Sequence, residues 1–370
     1  MKEDIPVRKE NAKDISLLLV GSHGATTAAA VIEEIQRRNL NWNLYWIGKK
    51  WSTERKKSLS LEYQILPSMG IEFLELESGK IQTKFTRHTI PALLKIPMGI
   101  IQSIIYLIRV KPNLILSFGG ASGGLISFWA GMLNIPLIIH EQTSAAGRAN
   151  LKAEKYAKII TVSRESSIKY FRSQYILITG NPISSNIKKF IDIKPRKKVE
   201  TILITGGSRG SAWINNAIKP ILPDLCARYL IIHQTGLEDY AAFKDLKIKN
   251  YKAISQVTPH QMLKLISSAD IIVSRAGANT ITELIALKKP SILIPIPWSY
   301  LDEQLENAKH MQGLGLAKIL PQKDLTPTNL KNELDKLIKI YPRVLKETAD
   351  LKSNDLEASE KLVDILVKNV

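Results

Sequence analysis

The sequence predicts an α/β protein that contains two doubly wound parallel sheets, one in each half of the chain. Short apolar segments alternate with segments of helical composition along the 370 residues, and strands that alternate with helices form parallel sheets. Three glycine-rich turns directly follow apolar segments, at the carboxyl ends of strands, where such sheets bind ligands. A charged segment with one proline, residues 185–200, separates two copies of this pattern, as a linker does.

The domain organisation follows from this repetition. At 370 residues the chain is long for one domain and sufficient for two. We predict a first domain over residues 1–184, a linker over 185–200 and a second domain over 201–346. A final helix in 347–370 could belong to either domain.

Small and polar residues follow three predicted strands of the first half. They are Gly21, Ser22 and His23 after the strand 15–20, Gly119 and Gly120 after 114–118, and His140, Glu141 and Thr143 at the end of the strand 136–140. Other strands are predicted at 44–48, 71–76 and 157–162, and helices at 28–37, 96–108 and 125–133. We expect the small and polar groups to share one edge of a parallel sheet.

The second half repeats the pattern around residues 274–297, which contain a complete strand, turn, helix and strand. The predicted strands are 201–205, 229–233, 269–274 and 291–296, and the helices are 212–218, 280–287 and 304–311. Small residues at 276–278 would let a phosphate approach the helix N-terminus, and the carboxylate of Glu283 could accept hydrogen bonds from a ribose diol. Thr280 and Glu283 also have the spacing of a capping box, which stabilises a helix without any ligand.

The composition limits the chemical classes of partner that the protein can bind. The formal net charge of +18 predicts an acidic partner, which could be nucleic acid, anionic lipid or a phosphorylated substrate. The basic residues are dispersed, which disfavours a nucleic-acid arm and is also compatible with a role in solubility alone. The single cysteine, Cys226, excludes an internal disulfide and a multi-cysteine zinc site, and so favours the cytoplasm.

The segment 96–108 is the most membrane-like part of the chain. It contains 13 residues, among them Pro97, and is too short to span a bilayer. Its basic flanks suit a helix that lies on an anionic surface; they are Lys84, Arg87, His88, Lys95, Arg109 and Lys111. An ordinary helix packed against a sheet is an equally good interpretation. We identify no secretory signal, because residues 1–14 are charged and 15–20 are too short for one.

Seven motifs resemble, in the same order, those of the family 28 glycosyltransferases that add N-acetylglucosamine to undecaprenyl-pyrophosphoryl-N-acetylmuramoyl-pentapeptide. They are FGGASGG from Phe118, HEQTSAAGRAN from His140, TGNPI from Thr179, ITGGSRGS from Ile204, HQTG from His233, SRAGANTITELIALKKPSILIPIP from Ser274 and DEQLENA from Asp302. One glycine motif alone would be weak evidence, whereas seven in order are specific.

The resemblance implies two Rossmann-like domains that face each other across a cleft, the GT-B fold, and an inverting transfer without metal or cofactor. It places UDP-N-acetylglucosamine on Ser208, Ala278, Asn279, Thr280, Ile281, Thr282, Glu283 and Gln304. It places the lipid-linked muramoyl-pentapeptide near Gly21, Ser22, Gly119, Gly120, His140, Glu141 and Thr143, with His23 as the general base. It also implies peripheral attachment to the anionic cytoplasmic face of the plasma membrane and no nucleic-acid partner.

The first half departs from the family pattern at several positions. His23 lies one position early in its turn, and Ala121, Thr143 and Ser184 replace a tyrosine, an asparagine and an arginine. Pro259 enters the segment that contacts uracil and removes one backbone donor. Two alternatives therefore stay open: a UDP-sugar transferase that acts on another lipid, and a homologue that binds UDP-sugar with little or no turnover.

Overall fold

The protein is built on two parallel sheets, which confirms the predicted fold class. The computed structural model describes residues 15–22, 24–52, 59–77, 89–207 and 210–370, with the backbone alone for 89–96. Within these ranges the strands of the first sheet are β1 Ser16–Val20, β2 Asn43–Gly48, β3 Glu72–Glu75, β4 Leu114–Ser117, β5 Leu137–Glu141, β6 Ile159–Val162 and β7 Ile176–Ile178. Their spatial order is β3-β2-β1-β4-β5-β6-β7, and all neighbours are parallel.

Helices cover both faces of the first sheet. They are α1 Ala25–Arg37, α2 Leu61–Ile65, α3 Thr89–Val110, α4 Gly120–Met132 and α5 Arg148–Ala153. Leu18 and Val20 of β1 point into one hydrophobic core, and Leu17 and Leu19 point into the other. Because both faces of β1 are buried, the strand is a continuous apolar run.

The second sheet follows residues 185–200, which begin with the short helix α6 Lys188–Ile191. Its described strands are β8 Thr201–Thr205, β9 Leu230–Gln234, β10 Tyr251–Ile254, β11 Ile271–Ser274, β12 Ser291–Leu293 and β13 Ala317–Ile319, in the parallel order β10-β9-β8-β11-β12-β13. Its helices are α7 Ala212–Ile218, α8 Leu222–Cys226, α9 Pro259–Ser268, α10 Ala278–Ala286, α11 Glu303–Gly313 and α12 Pro327–Glu347.

The C-terminal helix is shorter than predicted and packs on the first half of the chain. The expected helix over 347–370 is wrong in its start, because α12 ends at Glu347 and the last helix, α13, spans Ala358–Val367. Leu362, Val363 and Leu366 of α13 join the core around Leu17 and Leu19. The apolar face of this helix is therefore buried against β1 and α1, far along the chain from its own sequence neighbours.

A buried ion pair holds the segment just before α13 against the first half of the chain. Both carboxylate oxygens of Asp355 accept hydrogen bonds from the Arg164 guanidinium, at 2.6 and 2.9 Å, and the side chains are 1% and 10% exposed. Asp355 also accepts the backbone N–H of Asn181 at 2.8 Å. Substituting either partner would strongly destabilise the fold, because the charge of the other would be left buried without a counterion.

Candidate active site

The carboxyl ends of the two sheets meet at a set of polar contacts around Asn279. Its Oδ1 accepts a hydrogen bond from Nδ2 of Asn181 at 2.9 Å and lies 3.0 Å from Oγ1 of Thr27. Its Nδ2 donates to the hydroxyl of Thr26. Asn279 is the second residue of α10, and Thr26 and Thr27 are in the first turn of α1. The N-terminus of a second-half helix therefore faces the N-terminus of a first-half helix.

The loop after β5 makes a second bridge between the halves. The backbone N–H of Ser144 donates to Oδ1 of Asn307 at 2.8 Å, and Nδ2 of Asn307 donates to the carbonyl of Ala276 at 3.1 Å. The guanidinium of Arg148 lies 4.3 Å from the ring centroid of Tyr300. This loop thus reaches the carboxyl edge of the second sheet.

The carboxylate of Glu141 holds that loop in place through hydrogen bonds. Its Oε1 accepts the N–H and the hydroxyl of Thr143, at 3.1 and 2.8 Å, and its Oε2 accepts the N–H of Gly147 and Nδ2 of Asn150, both at 2.8 Å. The residue is 3% exposed. A carboxylate has about four acceptor positions, so these bonds leave none for a substrate.

His140 lies beneath the cleft surface as well. It has no solvent exposure, its Nδ1 is 2.9 Å from the hydroxyl of Thr161, and burial lowers its pKa to about 4. The side chains of His140 and Glu141 therefore lie below the surface of the cleft, and their place in the acceptor site stays a prediction. Both residues end a central strand, whose side chains are enclosed by the neighbouring strands and loops.

The small-residue turns of the first half do lie side by side. The N–H of Ser22 donates to the carbonyl of Gly119 at 3.2 Å. Gly120 has a φ of +75°, and a Cβ there would lie 2.5 Å from Cβ of Ser22, so only glycine lets the two turns approach this closely. His23, the predicted base, lies outside the described residues. Thr143, half-buried in the loop after β5, completes the predicted acceptor group.

On the donor side, Glu283 has the properties of a ligand-binding group. The capping-box alternative is wrong, because α10 begins at Ala278 with Gly277 as its N-cap and without a side-chain cap. Within the part of the chain that the structure describes, the half-buried Glu283 carboxyl has no hydrogen-bond partner. Burial raises its pKa to about 8. Thr280, one helical turn before it on the same face, also makes no side-chain hydrogen bond in those ranges.

Gln304 is held with its amide nitrogen free. Its Oε1 accepts the N–H groups of Ala276 and Ile296, at 3.3 and 3.2 Å. The described residues offer no acceptor for its Nε2, which can therefore donate to a ligand hydroxyl.

The remaining predicted donor residues separate into three groups. Ser208 lies outside the described residues. Ala278 is accessible at the start of α10. Ile281 and Thr282 are buried, at 2% and 0% exposure, and the hydroxyl of Thr282 donates to the carbonyl of Ala278 at 2.9 Å. Only the backbone of these last two positions can contribute to a site.

Three polar residues of the cleft escaped the sequence prediction, although all lie in quoted motifs. They are Asn181 of TGNPI, Glu303 of DEQLENA and Asn307 of the same motif. Burial and the nearby charge of Glu141 raise the pKa of Glu303 to about 7. Asn181 and Asn307 make contacts between the two halves of the chain, which a sequence pattern does not reveal. Across the described ranges, no group of three or more His, Cys, Asp or Glu is arranged to hold a metal ion.

Both halves of the chain match family models. Residues 15–162 match the glycosyltransferase family 28 N-terminal domain, and residues 201–363 match the glycosyltransferase family 28 C-terminal domain. A Bacillus cereus protein named UDP-N-acetylglucosamine–N-acetylmuramyl-(pentapeptide) pyrophosphoryl-undecaprenol N-acetylglucosamine transferase 1 is 32% identical over 321 residues, which cover 84% of this chain and 86% of the relative. A Pediococcus pentosaceus protein with the same transferase name is 30% identical and covers 92% and 94%.

Solved structures show the same architecture. Acinetobacter baumannii MurG superposes with a TM-score of 0.68 at 24% identity and covers 96% of this chain and 99% of its own. The UDP-GlcNAc 2-epimerase of Neisseria meningitidis bound to UDP-GlcNAc also reaches 0.68, at 17% identity, with coverage of 95% and 99%. These likenesses show the fold, and the sequence matches show the family. The chain therefore belongs to glycosyltransferase family 28 and is a glycosyltransferase with the GT-B fold.

Proposed function

We propose that this enzyme transfers N-acetylglucosamine from UDP-N-acetylglucosamine to the 4-hydroxyl of undecaprenyl-linked N-acetylmuramoyl-pentapeptide, with inversion at the anomeric carbon. The observation that carries the proposal is the similarity to transferases of this name over 84–92% of the chain. The geometry supports it, because free donor and acceptor groups at the second sheet face small-residue turns at the first.

The donor would occupy the edge of the second sheet. The ribose diol donates to the Glu283 carboxylate, and Nε2 of Gln304 donates to a sugar hydroxyl. Ser208, named from its motif, would contact the diphosphate, and the start of α10 offers it backbone N–H groups. The side chain of Asn279 is already bonded to the first half, so we assign it to domain contact and exclude it from direct donor binding.

The transfer is one displacement. The muramoyl oxygen forms a bond to the anomeric carbon while the bond from that carbon to the diphosphate breaks, and the electron pair leaves with UDP. A base must take the hydroxyl proton. We propose His23, because Thr26 and Thr27, just beyond it, contact the donor helix. His140 and Glu141 are poor alternatives, since one is buried and the other is saturated with hydrogen bonds.

The decisive experiment incubates the enzyme with UDP-N-acetylglucosamine and lipid-linked muramoyl-pentapeptide and follows both disaccharide formation and UDP release. We expect stoichiometric amounts of the two products. Diacylglycerol serves as the alternative acceptor, and an incubation without acceptor tests for epimerisation of the sugar. Product on diacylglycerol alone would favour the other-lipid transferase, and donor binding without UDP release would favour the silent homologue.

We propose further that α3 attaches the enzyme to the anionic cytoplasmic face of the plasma membrane. Met98, Ile101, Ile105 and Ile108 are 44–62% exposed and form one stripe of the helix, while Ser103, Leu107 and Val110 on the opposite side are buried. Helix α4 packs against α3 and exposes three more large apolar side chains, Phe128, Met132 and Leu133. Among the described helices, none has the length and apolar character needed to cross a bilayer.

Only some of the basic residues predicted to flank α3 are among the residues that the structure describes. Lys84, Arg87 and His88 lie outside the described residues, and the side chain of Lys95 does too. Arg109 is exposed but forms an ion pair with Glu72 at 2.6 Å. Apolar insertion of the stripe therefore supports membrane binding more directly than charge does.

A further inference from the structure

Arg275 occupies a central position at the carboxyl edge of the second sheet. It follows β11 directly and is 7% exposed. One amino group of its guanidinium donates to the carbonyl of Ile294, just after β12, at 3.1 Å. The other donates to the hydroxyl of Ser211, at the end of the glycine-rich turn after β8, at 2.9 Å. The side chain thus spans the ends of three adjacent strands.

No carboxylate of the described residues pairs with the guanidinium of Arg275, whereas Arg164, whose side chain is 10% exposed, pairs with Asp355. Burial lowers the pKa of Arg275 to about 10, so it is still charged at neutral pH. A guanidinium has five N–H donors, and the two hydrogen bonds above leave the others without a described partner.

A buried charge without a counterion is costly. Neutral acceptors such as a carbonyl and a hydroxyl offset only part of that cost. A ligand that brings negative charge to this edge would supply the missing partner. The position, between the turn after β8 and the start of α10, is where a doubly wound sheet receives phosphate groups.

We propose that Arg275 is the counter-cation for the diphosphate of the nucleotide donor, an inference that rests on the donor half of the proposed function. Its planar fork suits two phosphate oxygens. During transfer the bond between the anomeric carbon and the diphosphate oxygen breaks, and the electron pair remains on that oxygen. A fixed cation beside it stabilises the developing charge of the leaving UDP.

The competing role is structural. Arg275 could act only by holding the turn 206–211 through Ser211. Because the turn itself would hold the diphosphate, that role predicts that Ser211→Ala, which removes the bond between Arg275 and the turn, weakens UDP as much as Arg275→Gln does. A counter-cation instead predicts a loss of UDP affinity in Arg275→Gln that Ser211→Ala does not reproduce.

The test is calorimetric titration at pH 8 of uridine and UDP into the wild type, Arg275→Gln, Arg275→Lys and Ser211→Ala. For Arg275→Gln we expect UDP to bind about 10- to 100-fold more weakly and uridine to change by no more than about twofold, the range for a lost hydrogen bond to a charged group. Arg275→Lys keeps the charge and should retain most of the preference for UDP. If the glutamine variant does not fold, loss of the preference for UDP in this charge-conserving variant would overturn the assignment. Ser211→Ala should retain the preference, because the cation remains.

The matched control is Arg228→Gln, which removes an exposed cation of the same domain that pairs with Asp335. It should leave both affinities unchanged. Equal losses of uridine and UDP in Arg275→Gln, an unchanged ratio, or loss of the preference in Ser211→Ala would overturn the assignment. If the wild type does not bind UDP, the donor proposal fails and this inference fails with it. UDP binding that is indifferent to Arg275 overturns this inference alone.

Discussion

Donor binding should release a proton from Glu283. Burial places the pKa of this carboxyl at about 8, so at pH 7 about nine molecules in ten carry the proton. Only the ionised carboxylate offers an unprotonated oxygen to each of the two ribose hydroxyls. Ionisation at pH 7 then costs about 1.4 kcal/mol, the free energy of one pH unit, which the donor must supply when it binds.

The size of the pH effect on donor affinity follows from the linkage between proton release and donor binding. The complex holds fewer protons than the free enzyme, so affinity rises with pH. The Kd of UDP-N-acetylglucosamine should fall about tenfold per pH unit up to about pH 8 and then level off, with about 0.9 proton released at pH 7. The free enzyme has the opposite dependence: its folded form binds more protons than the unfolded chain between pH 4.5 and 8, so Glu283 lowers stability as pH rises through that window.

Calorimetry in buffers of different ionisation enthalpy measures the protons directly. UDP-N-acetylglucosamine is the suitable ligand, because its diphosphate is a diester with no proton that titrates in this range. Glu283→Gln should abolish the proton release and the pH dependence up to pH 8. Glu303→Gln is the matched control, since Glu303 is another half-buried carboxyl with a pKa raised to about 7. Affinity that does not vary with pH, or proton release that persists in Glu283→Gln, would refute the reasoning.

Other perturbations test other parts of the structure. Glu141→Gln should lower the free energy of unfolding in urea by on the order of 3 kcal/mol, because its new amide would face the donors of Gly147 and Asn150; a loss below about 0.5 kcal/mol would contradict the role of Glu141. His23→Ala should lower kcat about 100-fold with donor Kd unchanged, and activity within a few-fold of wild type would remove it as the base. The double change Ile101→Ser and Ile105→Ser should release the enzyme from phosphatidylglycerol vesicles, whereas Ile193→Ser, at an equally exposed isoleucine, should not; vesicle binding by the folded double variant would exclude α3 as the anchor.

Most of the strands that the sequence predicts have two buried faces; one exception is β3, a partly exposed edge strand that the sequence predicts at 71–76. β1, β8 and β11 are continuous apolar runs that end in small-residue turns, and each lies in the interior of its sheet. β7, β10 and β13 were missed, and all three are edge strands of three or four residues with partly exposed faces. An edge strand gains its stability from pairing on one side, so its sequence need not be apolar throughout.

The sequence predicted those site residues whose role depends only on a local motif. Glu283 and Gln304 were named from motifs, and both have side-chain polar atoms without a partner among the described residues. The capping-box alternative failed because the spacing of Thr280 and Glu283 does not say where the helix begins, and Gly277 takes the N-cap position. Asn279 contacts residues about 100 and 250 positions away. Its role depends on how the halves meet, which no local pattern encodes.

The departures from the family pattern are mostly accommodated by this chain's own contacts. Ser184 donates to the carboxylate of Glu33, and Thr143 completes the hydrogen bonds of Glu141. Pro259 is the first residue of α9, where a missing N–H costs the helix nothing. Ala121 differs, because it is exposed at the start of α4, beside the turn of Gly119 and Gly120, and its methyl group cannot make the hydrogen bond of a tyrosine hydroxyl. Since this edge belongs to the first sheet, we expect the chain to differ from its relatives in acceptor affinity more than in donor affinity.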